Sequence, residues 1–283
     1  MTTVAQLLNK GQQRCQHSET AKLDAELLLC FCLKASRSYL RAWPENDVSS
    51  DITERYNALL LRREKGEPVA YLIGERGFWT LDLRVNHTTL IPRPETELLV
   101  ESVLQLLPAN EHKKILDLGT GTGAIALALA SERPQWQLLA CDREPGAVAL
   151  AQSNQRDCDL HNVRIIQSDW FSHIDSQTFD VIVSNPPYID ANDPHLNQGD
   201  VRYEPRSALV AKNNGLADIT LIIKHACDYL APGAWLVFEH GYNQAKDVRD
   251  LLMGQGFDKV FCKKDLAGVD RVSGGQFTDG RLL

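Results

Sequence analysis

Asn185-Pro186-Pro187-Tyr188 closes an apolar run, Phe179 to Ser184, whose length and composition predict a buried strand. One polar amide therefore stands at a strand's carboxyl end, followed by two prolines that donate no backbone hydrogen bond and resist helix. Such a turn is stiff, its carbonyls are free to accept, and it suits the recognition of a planar NH2 group. A plain strand-terminating turn would use the same prolines, so the residues upstream decide between the two.

Upstream, Asp117-Leu-Gly119-Thr120-Gly121-Thr122-Gly123 ends a predicted strand and opens a predicted helix. Glycines let the backbone approach a ligand and helix N–H groups face it, which makes Asp117 and Gly119 through Gly123 candidate cofactor contacts. The string also satisfies a dinucleotide fingerprint, Gly119-x-Gly121-x-x-Ala124, with Asp142 at a fitting distance for a ribose, so the loop alone admits NAD as well as S-adenosylmethionine. Asp142 ends the next strand, where a carboxylate can accept both ribose hydroxyls; an acid there also suits a helix N-terminus. Asp169-Trp170 follows the third strand and offers a carboxylate for an adenine amino group beside an aromatic plane for its ring, although a core Trp with an incidental Asp looks the same. Four strand ends, at Gly119, Asp142, Asp169 and Asn185, converge on one sheet edge, where open α/β sheets bind ligands.

The elements that position these residues follow from residue 95 onward, where strand-length apolar runs alternate with helical segments, the pattern of an α/β fold with a mostly parallel sheet covered on both faces. Strands are predicted at 114–118, 137–142, 163–167, 179–184 and 234–239, with two more near 257–264 and 269–277. Helices are predicted at about 95–107, 123–132, 144–157, 214–230 and 242–254. Residues 1 to about 66 read as short amphipathic helices; Asp51 and Glu54 have capping-box spacing, and Gly66 sits where that helix should end. Gly74 to Leu90 alternates with period two, as in a hairpin. The expected organisation is a helical domain at 1–72, a β-hairpin linker at 73–93 and a Rossmann-like domain at 94–283. Tyr188 to Asn214 has no clear period, and an irregular stretch of that length is expected to be functional.

With 30 basic and 37 acidic residues and a net charge of −7, the chain has no bulk electrostatic footprint for tight duplex binding. Seven scattered cysteines, mostly in apolar runs, read as reduced thiols, and no CxxC pair suggests a metal. The start lacks a signal-peptide pattern and no apolar run reaches the ~20 residues of a membrane span. A cytoplasmic monomer without metal, membrane or direct nucleic-acid partner is expected.

Taken together, the glycine loop, the strand-end Asp142 and Asn185-Pro-Pro-Tyr188 resemble S-adenosylmethionine methyltransferases acting on planar amino groups, a signature shared by DNA adenine-N(6) and glutamine-amide enzymes. Leu90-Ile-Pro-Arg93-Pro94-Glu95-Thr-Glu97, preceded by Glu67-Pro-Val-Ala-Tyr-Leu-Ile-Gly74, is similar to the HemK/PrmC family, which methylates peptide chain release factors. The resemblance covers nearly the full chain, including Asp200-Val-Arg-Tyr-Glu204-Pro205 and Glu239-His240-Gly241. It implies a class I, S-adenosylmethionine-dependent methyltransferase with a seven-stranded sheet and a small N-terminal helical domain for substrate recognition. It implies a cofactor site at Asp117, Gly119–Gly123, Asp142, Asp169, Trp170 and Asn185. The implied catalytic residues are Asn185, Pro186 and Tyr188, with Pro187, Arg93 and Glu95 also facing the substrate. The expected reaction is methylation of the glutamine in the Gly-Gly-Gln motif of a release factor, which tunes translation termination. A ribosomal-protein glutamine or a DNA adenine is the alternative acceptor. The ribosomal-protein paralogue typically has Pro-Arg-Ser-Pro where this chain has Pro92-Arg93-Pro94-Glu95, which favours release factors. Ser273-Gly274-Gly275-Gln276 itself spells Gly-Gly-Gln and is read as a coincidence within an edge strand, not as a substrate mimic.

Overall fold

The computed structural model describes residues 2–278, which divide into two compact units. The smaller unit runs to Glu75 and adds Asn197–Tyr203; the larger comprises Arg76–Leu196 and the chain from Glu204.

In the smaller unit, β1 (Thr2–Thr3) pairs with β2 (Asp47–Val48) beside α1 (Val4–Arg14), α2 (Ala21–Leu33), α3 (Arg37–Ala42), α4 (Ser50–Glu64) and α5 (Val69–Ile73). Leu7, Leu28, Leu29, Tyr56 and Leu60 form its buried core. The capping box lies at α1, where Thr3 and Gln6 bond reciprocally, and not at Asp51 and Glu54. Helix α4 starts after Ser49, so Asp51 falls inside the first turn, where an acid favours the dipole but cannot cap. Arg63 ties this unit together: its guanidinium meets the buried Asp24 at 2.7 Å and Asp200 at 3.1 Å. The Arg202 guanidinium and the Tyr203 hydroxyl both donate to the Lys65 carbonyl. Those contacts explain why seven residues of the irregular 188–214 stretch belong here.

The larger unit begins at Arg76, within β3 (Glu75–Phe78), which pairs with β4 (Leu81–Arg84) in a ribbon, and a 3-10 turn at Pro94–Thr96 leads into α6 (Glu97–Leu106). There follow β5 (Lys114–Leu118), α7 (Ala124–Glu132), β6 (Gln137–Asp142), α8 (Pro145–Asp157), β7 (Val163–Gln167), β8 (Phe179–Ser184), α9 (Ala217–Ala226), β9 (Leu230–Glu239), α10 (Ala245–Gly254), β10 (Phe257–Lys264) and β11 (Asp270–Phe277). Seven strands form one sheet in the order β10-β11-β9-β8-β5-β6-β7, with only β11 antiparallel to its neighbours. Side chains alternate between two buried layers. Ile115, Val181 and Val183 join α6 and α7 on one face, while Leu116, Leu118 and Ile182 join α9 and α10 on the other. Burial on both faces is what makes these strands read as continuous apolar runs. From β5 the chain steps outward to β6 and β7 and then returns to β8, so the strand order reverses between β5 and β8, where such sheets open a crevice.

The ribbon contributes to the larger unit's core, where Phe78 and Leu83 are fully buried, and one expectation changes. Strand β11 is not at the edge, because β10 covers it. Its glycines are packing residues, since a Cβ on Gly274 would lie 2.8 Å from both the Leu236 carbonyl oxygen and the Phe261 ring, and one on Gly275 2.9 Å from Phe257 Cβ. Gln276 donates to the Gly233 carbonyl at 2.8 Å.

Candidate active site

A cleft with about 880 Å³ of empty volume, open mouth included, lies at the carboxyl ends of β5, β6, β7 and β8. Gly119, Thr120, Gly121, Thr122, Asp142, Asp169, Trp170, Asn185 and Pro187 all line it. The convergence of four strand ends inferred from the sequence is thus the geometry of the cleft.

Its floor is the glycine loop. Gly119, Gly121 and Gly123 have φ of 73°, 56° and 87°, the left-handed region that side chains rarely adopt. The Asp142 carboxylate braces the loop, accepting from the Gly121 N–H at 2.9 Å and from the Glu144 N–H at 3.0 Å. Each oxygen keeps lone-pair capacity, so the same group can accept hydroxyls from the cleft. Burial raises its pKa, and the two backbone N–H groups work against that rise. Asp117 has a different place: it is fully buried beneath the loop, accepts from the Thr120 hydroxyl at 2.6 Å and is not among the lining residues. Burial pushes its carboxyl up to about 7. Gly123 also lies behind the lining, packed on Leu127 and Ala151.

At the next strand end, Trp170 takes φ 48° and turns its ring toward Gly119, where an added Cβ would stand 3.3 Å from the indole. Ser168 holds that turn by donating to the Trp170 carbonyl at 2.8 Å. Asp169 is exposed at the mouth.

Asn185 donates through Nδ2 to the Thr96 hydroxyl at 3.2 Å. The Pro186 carbonyl accepts no hydrogen bond from the described residues, as its stiff turn predicts. Tyr188 packs its ring against the core and donates its hydroxyl to Glu239 at 3.2 Å, with burial raising its pKa. The Tyr188 carbonyl is fixed by Gln244 Nε2 at 2.9 Å, and Gly215 is required beside it because a Cβ there would lie 2.0 Å from that oxygen. Arg93 and Glu95 are not brought into the cleft. Arg93 instead meets the buried Glu204 at 2.6 Å, and Glu95 is exposed in the turn before α6.

Sequence reasoning missed several lining residues: Thr88, Thr89 and Leu90 after the ribbon, Thr96, and Ser207 with Ala208. It also assigned no role to Gln244 or Glu239. Leu90 and Thr96 lie within the 90–97 string and Glu239 within Glu239-His240-Gly241, but nothing in those strings gives these residues a place in the site, because tertiary packing brings them there. Among the described residues no group of His, Cys, Asp or Glu is arranged to hold a metal ion, and no helix is long and apolar enough to cross a membrane.

The chain resembles known proteins along its whole length. Residues 6–74 match the PrmC N-terminal domain and residues 95–200 the methyltransferase small domain. A release factor glutamine methyltransferase of Shewanella oneidensis is 52% identical over 94% of this chain and 92% of its own. One from Pseudomonas aeruginosa is 52% identical over 98% and 99%, respectively. The crystal structure of a methyltransferase from Pyrococcus furiosus shares the fold, with a TM-score of 0.54 at 17% identity over 78% of this chain and 98% of its own. With half of its residues shared across nearly the full length of such relatives, the chain belongs to the release factor glutamine methyltransferase family.

Proposed function

We propose that this protein transfers a methyl group from S-adenosylmethionine to the side-chain amide nitrogen of the glutamine in the Gly-Gly-Gln motif of a peptide chain release factor. The observation that carries this reading is the stiff Asn185-Pro186-Pro187-Tyr188 turn beside a cleft that suits an adenosyl group. The donor set fits the cofactor: Asp142 offers acceptors for ribose hydroxyls, the positive-φ glycines open a close approach, and Asp169 and Trp170 offer a carboxylate and an aromatic plane for adenine. Asp117 and Gly123 support this site from behind the lining, and Thr120 and Thr122 border it.

Bound there, S-adenosylmethionine supplies an electrophilic methyl group. An amide nitrogen is a weak nucleophile because its lone pair is delocalised into the carbonyl. In this reading Asn185 Oδ1 and the Pro186 carbonyl accept its two protons, which weakens that delocalisation and aims the lone pair. Positioning of this kind can remove about 7–11 kcal/mol of barrier, so no strong general base is needed, and one amide proton leaves to water. Pro187 lines the wall, Tyr188 backs the turn from the core, Arg93 acts on the substrate through the segment it holds, and the exposed Glu95 is assigned a substrate contact. The helical unit is assigned recognition of the factor. Neither a metal nor direct nucleic-acid binding enters the reaction, which is placed in the cytoplasm with the protein as a monomer.

The test is incubation with labelled S-adenosylmethionine and, separately, a release factor, its glutamine-to-alanine variant, a ribosomal protein and DNA. Label on the intact release factor alone is expected. Label on DNA, or on the alanine variant as strongly as on the parent, would refute the acceptor.

A further inference from the structure

Asn154, on the buried face of α8, is 1% exposed and gives its whole amide to backbone groups. Its Oδ1 accepts from the Arg84 N–H at 2.8 Å, while its Nδ2 donates to the Arg84 carbonyl at 3.1 Å and to the Thr122 carbonyl at 2.9 Å. A carbonyl only accepts and a peptide N–H only donates, so one orientation of this amide satisfies all three partners. The two bonds to Arg84 are the kind a neighbouring strand makes, so a single side chain extends the pairing of β4. The third bond runs to the glycine loop, where Thr122 is buried and lines the cleft.

Both segments that Asn154 joins belong to the cleft. Just past Arg84, Thr88 and Thr89 line it. Thr88 packs on Gly146 in the first turn of α8, where an added Cβ would lie 2.8 Å from its Cγ2 and 3.1 Å from its Cβ. Asn86 keeps Thr88 in that pose by accepting from both its N–H and its hydroxyl. Thr89 faces Gly121, whose added Cβ would lie 3.9 Å from Thr89 Cβ, and the Gly121 N–H is the one bonded to Asp142. The stretch from Arg84 to Thr89 is therefore held against α8 at two points, and it stands over the loop at the ribose side of the cleft. We infer that Asn154 is a positioning residue for the cofactor: by bonding Arg84 and Thr122 at once it sets the gap between the Thr88–Thr89 wall and the glycine loop. A wall placed in advance lowers the ordering cost of binding. This rests on the reading of the cleft as an S-adenosylmethionine site. Were Asn154 only a stabiliser of the fold, its loss would lower Tm and leave the affinity of the folded protein unchanged.

Asn154→Ala tests the difference. The Kd for S-adenosylhomocysteine, measured by calorimetry below the variant's own Tm, is expected to rise about 10-fold, the scale of one lost hydrogen bond. The same factor should appear in the KM for S-adenosylmethionine, while kcat on release factor at saturating cofactor falls less than about twofold. Gly146→Ala pushes Thr88 away from α8 with the Asn154 bonds left in place, and should raise the Kd about 3-fold. Gly274→Ala, strained on β11 and outside the cleft lining, controls for stability: it should lower Tm at the wild-type Kd. A folded Asn154→Ala with the wild-type Kd, a loss confined to kcat, or an equal loss of affinity in Gly274→Ala would each overturn the inference. If Asn154→Ala fails to fold, Gly146→Ala decides, and a wild-type Kd there overturns it. A wild-type protein that does not bind S-adenosylhomocysteine overturns the functional reading and this inference with it, whereas a wild type that binds no better than Asn154→Ala overturns the inference alone.

Discussion

Arg93 offers the sharpest test of how the structure assigns a residue, because family resemblance sets it against the substrate while the geometry makes it a strut. Its guanidinium lies 2.6 Å from Glu204, whose side chain is 0% exposed against 28% for Arg93. Glu204 also accepts from the Ile91 N–H at 3.2 Å, so the pair holds the segment leading into the cleft-lining Pro92 and Thr96. Arg93→Ala removes this guanidinium from a buried carboxylate. Breaking a buried pair costs about 3–5 kcal/mol, and partial exposure of Arg93 lowers this to roughly 2–3 kcal/mol. For a unit of this size that is a fall of about 5–10 °C in Tm. Glu204→Gln should cost only about 1 kcal/mol, since the amide oxygen still takes the Ile91 N–H and the guanidinium can hydrate. The double variant should then resemble Glu204→Gln, with a coupling energy of about 2 kcal/mol in a cycle measured by urea unfolding. A coupling below ~0.5 kcal/mol, or an Arg93→Ala protein of wild-type stability with a raised KM for release factor, would show that Arg93 meets the substrate and that the strut assignment is wrong.

Asn185→Ala should abolish turnover while retaining S-adenosylhomocysteine binding by calorimetry, and wild-type kcat would remove Asn185 from the reaction. Asp142→Ala should weaken cofactor binding about 10- to 100-fold, as expected for the loss of charge-assisted hydrogen bonds that also brace the glycine loop; unchanged affinity would refute the ribose assignment. Asp117 is held neutral up to about 7, so the folded state keeps a proton that the unfolded chain has already lost. Stability should therefore fall as pH rises from about 4 to about 7, at up to ~1.4 kcal/mol per pH unit, and level off above. Asp117→Asn should remove that slope, and equal slopes in urea unfolding at pH 5 and pH 7 for the two proteins would refute it. Gly274→Ala should cost about 1–3 kcal/mol through overpacking against the Leu236 carbonyl and Phe261 without changing kcat; lost turnover at full stability would revive the substrate-mimic reading of this strand.

The sheet was legible in the sequence because β5, β6, β7 and β8 are buried on both faces and read as short apolar runs of strand length. The glycine loop and Asp142 were legible for a related reason: backbone conformation and position at a strand's end constrain residue type locally. Thr96 and Glu239 were not. Thr96 looks like the first polar residue of a helix, and Glu239 like an acid ending a strand; only the third dimension brings Thr96 to Asn185 and Glu239 to Tyr188. Arg93 is a different case: a charged residue beside chemistry-bearing prolines invites a substrate role, and its pairing with the buried Glu204 could not be read from the sequence. The division at 197–203 was also beyond reach, since it depends on Arg63 meeting Asp24 and Asp200, a pairing between residues far apart in the chain.

The prolines of the Asn185–Tyr188 turn restrict the backbone but do nothing to orient the Asn185 side chain, so a stiff turn is insufficient for amide chemistry. That orientation needs an acceptor in a fixed place, and Thr96 provides one only while its own proton is engaged elsewhere. The end of the turn needs anchoring as well. Gln244 takes the Tyr188 carbonyl, Gly215 permits its approach, and Glu239 takes the Tyr188 hydroxyl, so β9 and the residues just after it hold what β8 presents. The antiparallel β11 completes this frame, because His240 immediately after Glu239 is buried and bonded through Nε2 to Ser273 at 2.8 Å. Glu239-His240-Gly241 then holds two contacts: the histidine bonds β9 to β11 through Ser273, and the glutamate takes the Tyr188 hydroxyl at the end of the turn. A substitution at His240 that loosens β9 should accordingly weaken turnover through the Tyr188 end of the turn, with S-adenosylhomocysteine affinity by calorimetry unchanged; wild-type turnover in such a variant would refute this.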